Sequence, residues 1–194
     1  YASDATKVFG YVRYVISGSD AAAQNIARGM LFTEVDGVQL TESNYRDLLF
    51  DDNTNYTISL AEFNDGNPVT ISTSINLSKT QLQENPVAIV KTIDEGSNKI
   101  GYLLYNQFSS SFDGELNAAF ANFQSENITD LIIDLRYNGG GSVTTASYLG
   151  AMVTGQFNGQ LYSKEQWNSK VMNALDASVF ENNFTNQIVN KDQN

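Results

Sequence analysis

The 194-residue sequence predicts a two-part chain of mixed class, α+β in its first part and α/β in its second. Three observations carry that expectation. Residues 55–63 and 69–77 are β-rich runs around Asn64-Asp65-Gly66-Asn67, and an Asp-Gly pair suits the φ > 0 positions of a tight hairpin. Residues 99–108, 113–124 and 129–135 read as strand, helix and strand, a βαβ unit that implies a parallel pair. That last strand runs directly into Asn138, Gly139, Gly140, Gly141 and Ser142, a glycine-rich corner before a helix-like stretch. A polar linker, residues 78–85, ends at Pro86, so the expected domains are 1–80 and 86–194.

Taken in order, residues 7–16 (KVFGYVRYVI) are β-branched and aromatic and predict a strand. Ser17-Gly18-Ser19-Asp20 is a turn, and residues 21–26 have room for one or two helical turns. Residues 29–37 alternate into a strand that stops at Asp36-Gly37. Thr41 is placed to cap a helix in which Tyr45, Leu48 and Leu49 share a face. Residues 87–93 and 99–108 are strands around the turn Glu95-Gly96-Ser97-Asn98. The helix at 113–124 has an apolar stripe of Leu116, Ala119, Phe120 and Phe123, expected to pack on a sheet. Residues 129–135 form an Ile- and Leu-rich run of strand length, expected to be buried. After Gly155, Tyr162, Trp167 and Phe180 read as a flap or a packing surface, with packing preferred, and residues 182–194 read as mobile or as a piece cut from its context.

Composition excludes several chemistries. The chain has neither Cys nor His, which rules out disulfides, thiolate metal sites, a Ser-His-Asp triad and a Cys-His pair within it. A formal net charge of −11 argues against nucleic acid and anionic membrane surfaces as partners. No apolar run is long enough to span a bilayer, and no metal or cofactor is expected. Tyr1 stands directly before a strand-like run, so the chain is expected to be a fragment, and the lack of a targeting segment says nothing of location.

The glycine corner admits three readings. It is a flexible connection capped by Ser142, a phosphate site, or an oxyanion hole for acyl transfer. Neither the Walker spacing with its Lys nor G-x-G-x-x-G is present, which weakens the second reading. The third uses backbone N–H groups that glycines leave free to converge on one negative oxygen.

Asp134 to Gly141, DLRYNGGG, resembles the D-L-R-x-N-x-G-G signature of the C-terminal processing (tail-specific) serine peptidases. Residues 100–108, IGYLLYNQF, resemble the strand that precedes it in that family. Upstream, GSDAA, RGMLFTEVDG and LTESNY resemble segments of the PDZ domains that these peptidases carry. Asp20 stands where that pattern has Pro, and Met30 where it has Asp.

The resemblance implies a PDZ-like β domain, incomplete at its start, followed by the first part of a ClpP/crotonase-like α/β peptidase domain. It implies a serine endopeptidase that cleaves protein substrates near their C-termini, in the periplasm or cell envelope, with lipid anchoring as one option. It places Gly140 and Gly141 where the backbone N–H of the oxyanion hole is supplied, with Asp134, Arg136 and Asn138 as motif support. If the corner lies at the surface, a side chain on either glycine should disturb the donors more than the fold.

The family's Ser nucleophile and Lys base have no matching motif here. Ser109-Ser110-Ser111 precedes the helix, out of order, and Lys164 and Lys170 precede any family-type serine. Ser142 and Thr144 read as helix caps. The chain alone is therefore expected to be inactive. Two alternatives stay open: a non-enzymatic ligand- or peptide-binding protein on the same fold, as the retinoid-binding proteins of the eye are, and a crotonase-type acyl-CoA enzyme.

Overall fold

The computed structural model describes residues 4 and 6–186. The chain forms two compact units, divided between Glu84 and Asn85.

The first unit is built on antiparallel pairs. Its elements are β1 (Gly10–Tyr11), α1 (Asp20–Ala23), β2 (Leu31–Val35), β3 (Val38–Gln39), α2 (Tyr45–Phe50), β4 (Asn55–Asn64) and β5 (Asn67–Ser78). The sheet runs β1-β2-β4-β5, with β3 also paired to β2. Asp65 (φ 49°) and Gly66 (φ 78°) are both left-handed, as a two-residue hairpin between right-twisted strands requires. Leu31, Thr33 and Val35 alternate inward along β2. Ile26, Val35, Leu40, Ile58 and Leu77 form the core, with Tyr45, Leu48 and Leu49 of α2 packed on it.

Two expectations for this unit are corrected. The strand at 7–16 shrinks to Gly10–Tyr11, because β2 begins only at Leu31 and residues before it are taken by α1 and turns. One further exchange, between Val12 and the Gly29–Met30 backbone, ends the pairing. Thr41 does not cap α2. The Thr41 carbonyl accepts from the N–H groups of Asn44 and Tyr45, and its own N–H donates to Asn44 Oδ1 (2.7 Å). A turn over residues 41–44 thus comes before the helix.

The second unit contains β6 (Val87–Glu95), β7 (Asn98–Tyr105), α3 (Asp113–Ser125), β8 (Asp130–Asp134), α4 (Val143–Thr154), β9 (Leu161–Lys164), α5 (Ser169–Met172) and β10 (Glu181–Asn183). Strand β7 lies between β6, antiparallel, and β8, parallel, in register from Ile100↔Asp130 to Leu104↔Asp134. Leu116, Ala119 and Phe123 of α3 bury against Leu103, Tyr105 and Leu149. Each large apolar side chain so buried contributes about 1.5–3 kcal/mol. Gly101 brings α3 close to β7: a Cβ there would press on the Phe123 and Ile128 side chains.

The tail of this unit differs from expectation. Asn182 and Asn183 lie in β10, paired with β9, while residues 187–194 of the expected mobile segment fall outside the described residues. Phe180 is buried, and Tyr162 packs edge-on against Phe184 (5.2 Å). Trp167 instead stays 57% exposed, its indole N–H donating to Glu165. Among the described residues no helix is long and apolar enough to cross a membrane.

Candidate active-site corner

Strand β8 ends at Asp134, whose side chain organises the turn into the glycine loop. Tyr102 pairs with Ile132 across the parallel ladder, so Tyr102, Ile132 and Asp134 stand on one face of the sheet. The buried Asp134 carboxylate accepts from Tyr102 Oη (2.7 Å), from the Arg136 backbone N–H (3.1 Å) and from the Arg136 guanidinium (Nε 2.9 Å). The guanidinium, then the phenol, then the backbone amide hold its carboxyl well below the usual carboxylate range. Arg136 titrates higher for the same pairing, and Tyr102 is raised by its bond to Asp134. The Arg136 side chain is 65% exposed, so this pair fastens the turn at the rim of the fold.

After the turn, the glycines are laced to the end of β7 and the residues beyond it. Gly139 N–H donates to the Asn106 carbonyl (3.3 Å). Phe108 N–H donates to the Gly140 carbonyl (2.9 Å), and Ser142 N–H to the Phe108 carbonyl (2.8 Å). Gly140 N–H is taken by Asn138 Oδ1 (2.8 Å), and Asn138 Nδ2 donates to the Tyr105 carbonyl (3.1 Å). Gly140 (φ 96°) and Gly141 (φ 135°) occupy conformations that L side chains rarely adopt. Among the described residues the Gly141 N–H has no partner, while those of Gly139, Gly140 and Ser142 are all committed.

The next helix starts at Ser142 as the sequence implies, whereas Thr144, also read as a cap, lies inside it. Ser142 caps α4, its Oγ accepting from Thr145 N–H (3.1 Å). The fully buried Thr145 donates its hydroxyl to Asp113 Oδ1 (2.8 Å), which ties the start of α4 to the start of α3. Tyr105, at the foot of the corner, is fully buried, and burial first and the Asp113 charge second push its phenol up to about 12.

The five motif residues therefore converge, but in two groups. Asp134 and Arg136 pin the turn, while Asn138 holds the Gly140 amide next to Gly141. Sequence reasoning did not find Tyr102, whose place beside Asp134 follows only from the β7–β8 register. It also missed the clamp role of Asn138, whose one visible signal was the motif position itself.

Among the described residues no lysine is buried as a general base would be. Every described lysine is exposed or half-exposed; Lys164 is ion-paired with Glu181 (3.0 Å), and Lys170 is exposed. Ser109 and Ser111 bond to each other (3.0 Å). Among the described residues no cluster of acidic side chains is placed to hold a metal ion.

Residues 99–189 match the model of peptidase family S41. That match lies within the second unit and agrees with the family resemblance read from DLRYNGGG. Among solved structures, a Bacteroides fragilis NCTC 9343 protein assigned to the S41 proteases superposes with a TM-score of 0.69 at 22% identity. That match covers 95% of this chain and 49% of the other. The photosystem II D1 C-terminal processing protease gives a TM-score of 0.49 at 20% identity, over 77% of this chain and 44% of its own. This chain thus spans about half the length, or less, of these two structures. The first of these similarities shows a shared mixed α+β fold. No curated protein matches the chain.

Proposed function

We propose that the chain is part of a serine endopeptidase that cleaves protein substrates near their C-termini, and that its glycine corner stabilises the tetrahedral oxyanion. The observation that carries this reading is the Gly141 N–H, left without a partner at a corner where the neighbouring amides are all used. A donor fixed in place before charge develops is what acyl transfer needs. Of the two glycines that the motif nominates, Gly141 is the donor and Gly140 is a structural member whose amide Asn138 occupies.

The serine nucleophile and lysine base belong, on this reading, to residues outside these 194. A lysine accepts a serine proton only when burial lowers its pKa, and no described lysine is buried. The first unit is proposed as a PDZ-like peptide module. Its apolar pocket of about 390 Å³, lined by Val12, Val15, Ile26, Leu49, Ile58 and Leu77, supports a side-chain-binding role. A cell-envelope location follows from the family resemblance alone.

The test is a cleavage assay on the longer protein that contains this chain, with unfolded proteins and peptides of varied C-termini. Cleavage near the C-terminus that disappears when a downstream serine is replaced is the expected result. Saturable peptide binding without cleavage would instead select the non-enzymatic binding protein.

A further inference from the structure

We infer that Asn138 is a positioning residue that selects which amide of the glycine corner stays open. The inference rests on the proposed oxyanion role, since the choice of donor matters only if chemistry passes through this corner.

Leu104↔Asp134 is the last pair of the β7–β8 register, and the chain then turns at Arg136–Tyr137. The Tyr105 carbonyl, one residue further along β7, therefore receives no β8 amide. Asn138 Nδ2 takes that place at 3.1 Å, while Oδ1 of the same carboxamide accepts the Gly140 N–H at 2.8 Å. One planar group thus bridges a strand end and a loop amide with a donor on one side and an acceptor on the other. Reversing the amide would set N–H against N–H and oxygen against oxygen, so the orientation is fixed by its partners.

The consequence is selection. With Asn138 in place, Gly140 N–H is consumed and Gly141 N–H alone stays available between Gly139 and Ser142. Without the clamp, two adjacent amides at left-handed glycines would be free to reorient, and neither would be held ready. Few other side chains substitute. Alanine removes both bonds. Aspartate keeps the Gly140 bond but faces the Tyr105 carbonyl with a second oxygen and places a negative charge beside a developing oxyanion. A protonated aspartic acid, with one O–H donor and one acceptor, mimics the amide.

Two measurements decide it. In the 194-residue chain, backbone amide hydrogen exchange by NMR should show Gly140 protected and Gly141 labile, with Gly140 becoming labile in Asn138→Ala. In the longer protein, Asn138→Ala should lower kcat about 10–100-fold with KM within about threefold, short of the 10²–10³-fold typical when a donor is lost outright. Asn138→Asp should be impaired at pH 7 and regain activity relative to wild type as pH falls towards the carboxylate range. A merely structural asparagine would not give that pH-dependent ratio. Wild-type turnover with Asn138→Ala kcat unchanged overturns the inference but leaves the peptidase reading standing. A wild-type protein that cleaves nothing overturns both as chemistry, and protection at Gly140 then reports the clamp as a feature of the fold alone. Equal lability of Gly140 and Gly141 in the wild-type chain overturns the inference whatever the turnover.

Discussion

Gly141 lies so close to Phe108 that a Cβ on it would run into the Phe108 carbonyl oxygen, whereas a Cβ on Gly140 would meet nothing within 4 Å. The two glycines stand side by side in one motif and have different reasons to be glycine. The expectation that a side chain on either would spare the fold is thereby corrected for Gly141, because a bridge to Phe108 brings backbone against its Cα.

The first prediction follows from that difference. Gly140→Ala introduces a left-handed non-glycine residue and should cost about 1–3 kcal/mol. Gly141→Ala adds a backbone clash to a comparable strain, so it should lose clearly more stability than Gly140→Ala. Urea unfolding of the two variants measures this, and equal midpoints would show that the Phe108 contact does not govern the corner.

Asp134 gives a prediction with a sign. Its folded-state pKa is depressed, by the Arg136 guanidinium first and the Tyr102 hydroxyl second. Its contribution to stability is therefore present above the unfolded carboxylate value, about 3.9, and fades as pH falls below that value. Asp134→Asn should lower Tm at pH 7, and the gap from wild type should narrow steadily below about pH 4. A gap that is constant across pH 2–7 would mean that charge at Asp134 does not stabilise the turn.

How much of this was legible beforehand depended on whether a feature was local. The Asp65-Gly66 hairpin, the α3 stripe, the Ser142 cap and the strand–corner–helix sequence are short-range, and each has a signature within a few residues. The start of α2 was misplaced because Thr41 and Asn44 are both good cap residues, and only the Thr41 N–H to Asn44 Oδ1 bond decides between them. The overlong first strand failed for a different reason: β propensity in residues 7–16 says nothing of whether β2 is long enough to pair with them. At the corner the motif set Asp134 and Arg136, which pair with each other, apart from the glycines, but it did not separate Gly140 from Gly141. The partners that separate Gly140 from Gly141, Asn138 and Phe108, are respectively two residues before Gly140 and more than thirty before Gly141.

The buried bond between Thr145 and Asp113 makes a third prediction. Thr145 is fully buried and donates to a carboxylate that is itself buried, joining the first turns of α4 and α3. Thr145→Val keeps the shape and removes the donor. Losing a hydrogen bond to a charged group costs about 1.5–3 kcal/mol. Thr145→Ser keeps the hydroxyl and should recover part of that. If Val and Ser variants unfold at the same denaturant concentration, the hydroxyl is not what holds the two helices.

The last prediction concerns what the 194 residues do alone. General-base lysines need a lowered pKa, so that the neutral amine is present near neutral pH. Nothing in the described chain supplies that: Lys99 is raised by its bond to Glu126, Lys164 is paired with Glu181, and Lys170 is exposed in α5. The serines nearest the corner are also occupied, Ser142 in capping α4 and Ser109 with Ser111. On the proposed reading, the corner thus holds an oxyanion donor without a nucleophile among the described residues. The isolated chain should leave unfolded proteins and C-terminal peptides intact over long incubations, and a serine-directed fluorophosphonate probe should not label it. Labelling or cleavage that vanishes in a Ser109→Ala or Ser111→Ala variant would overturn this assignment and place the nucleophile inside the chain.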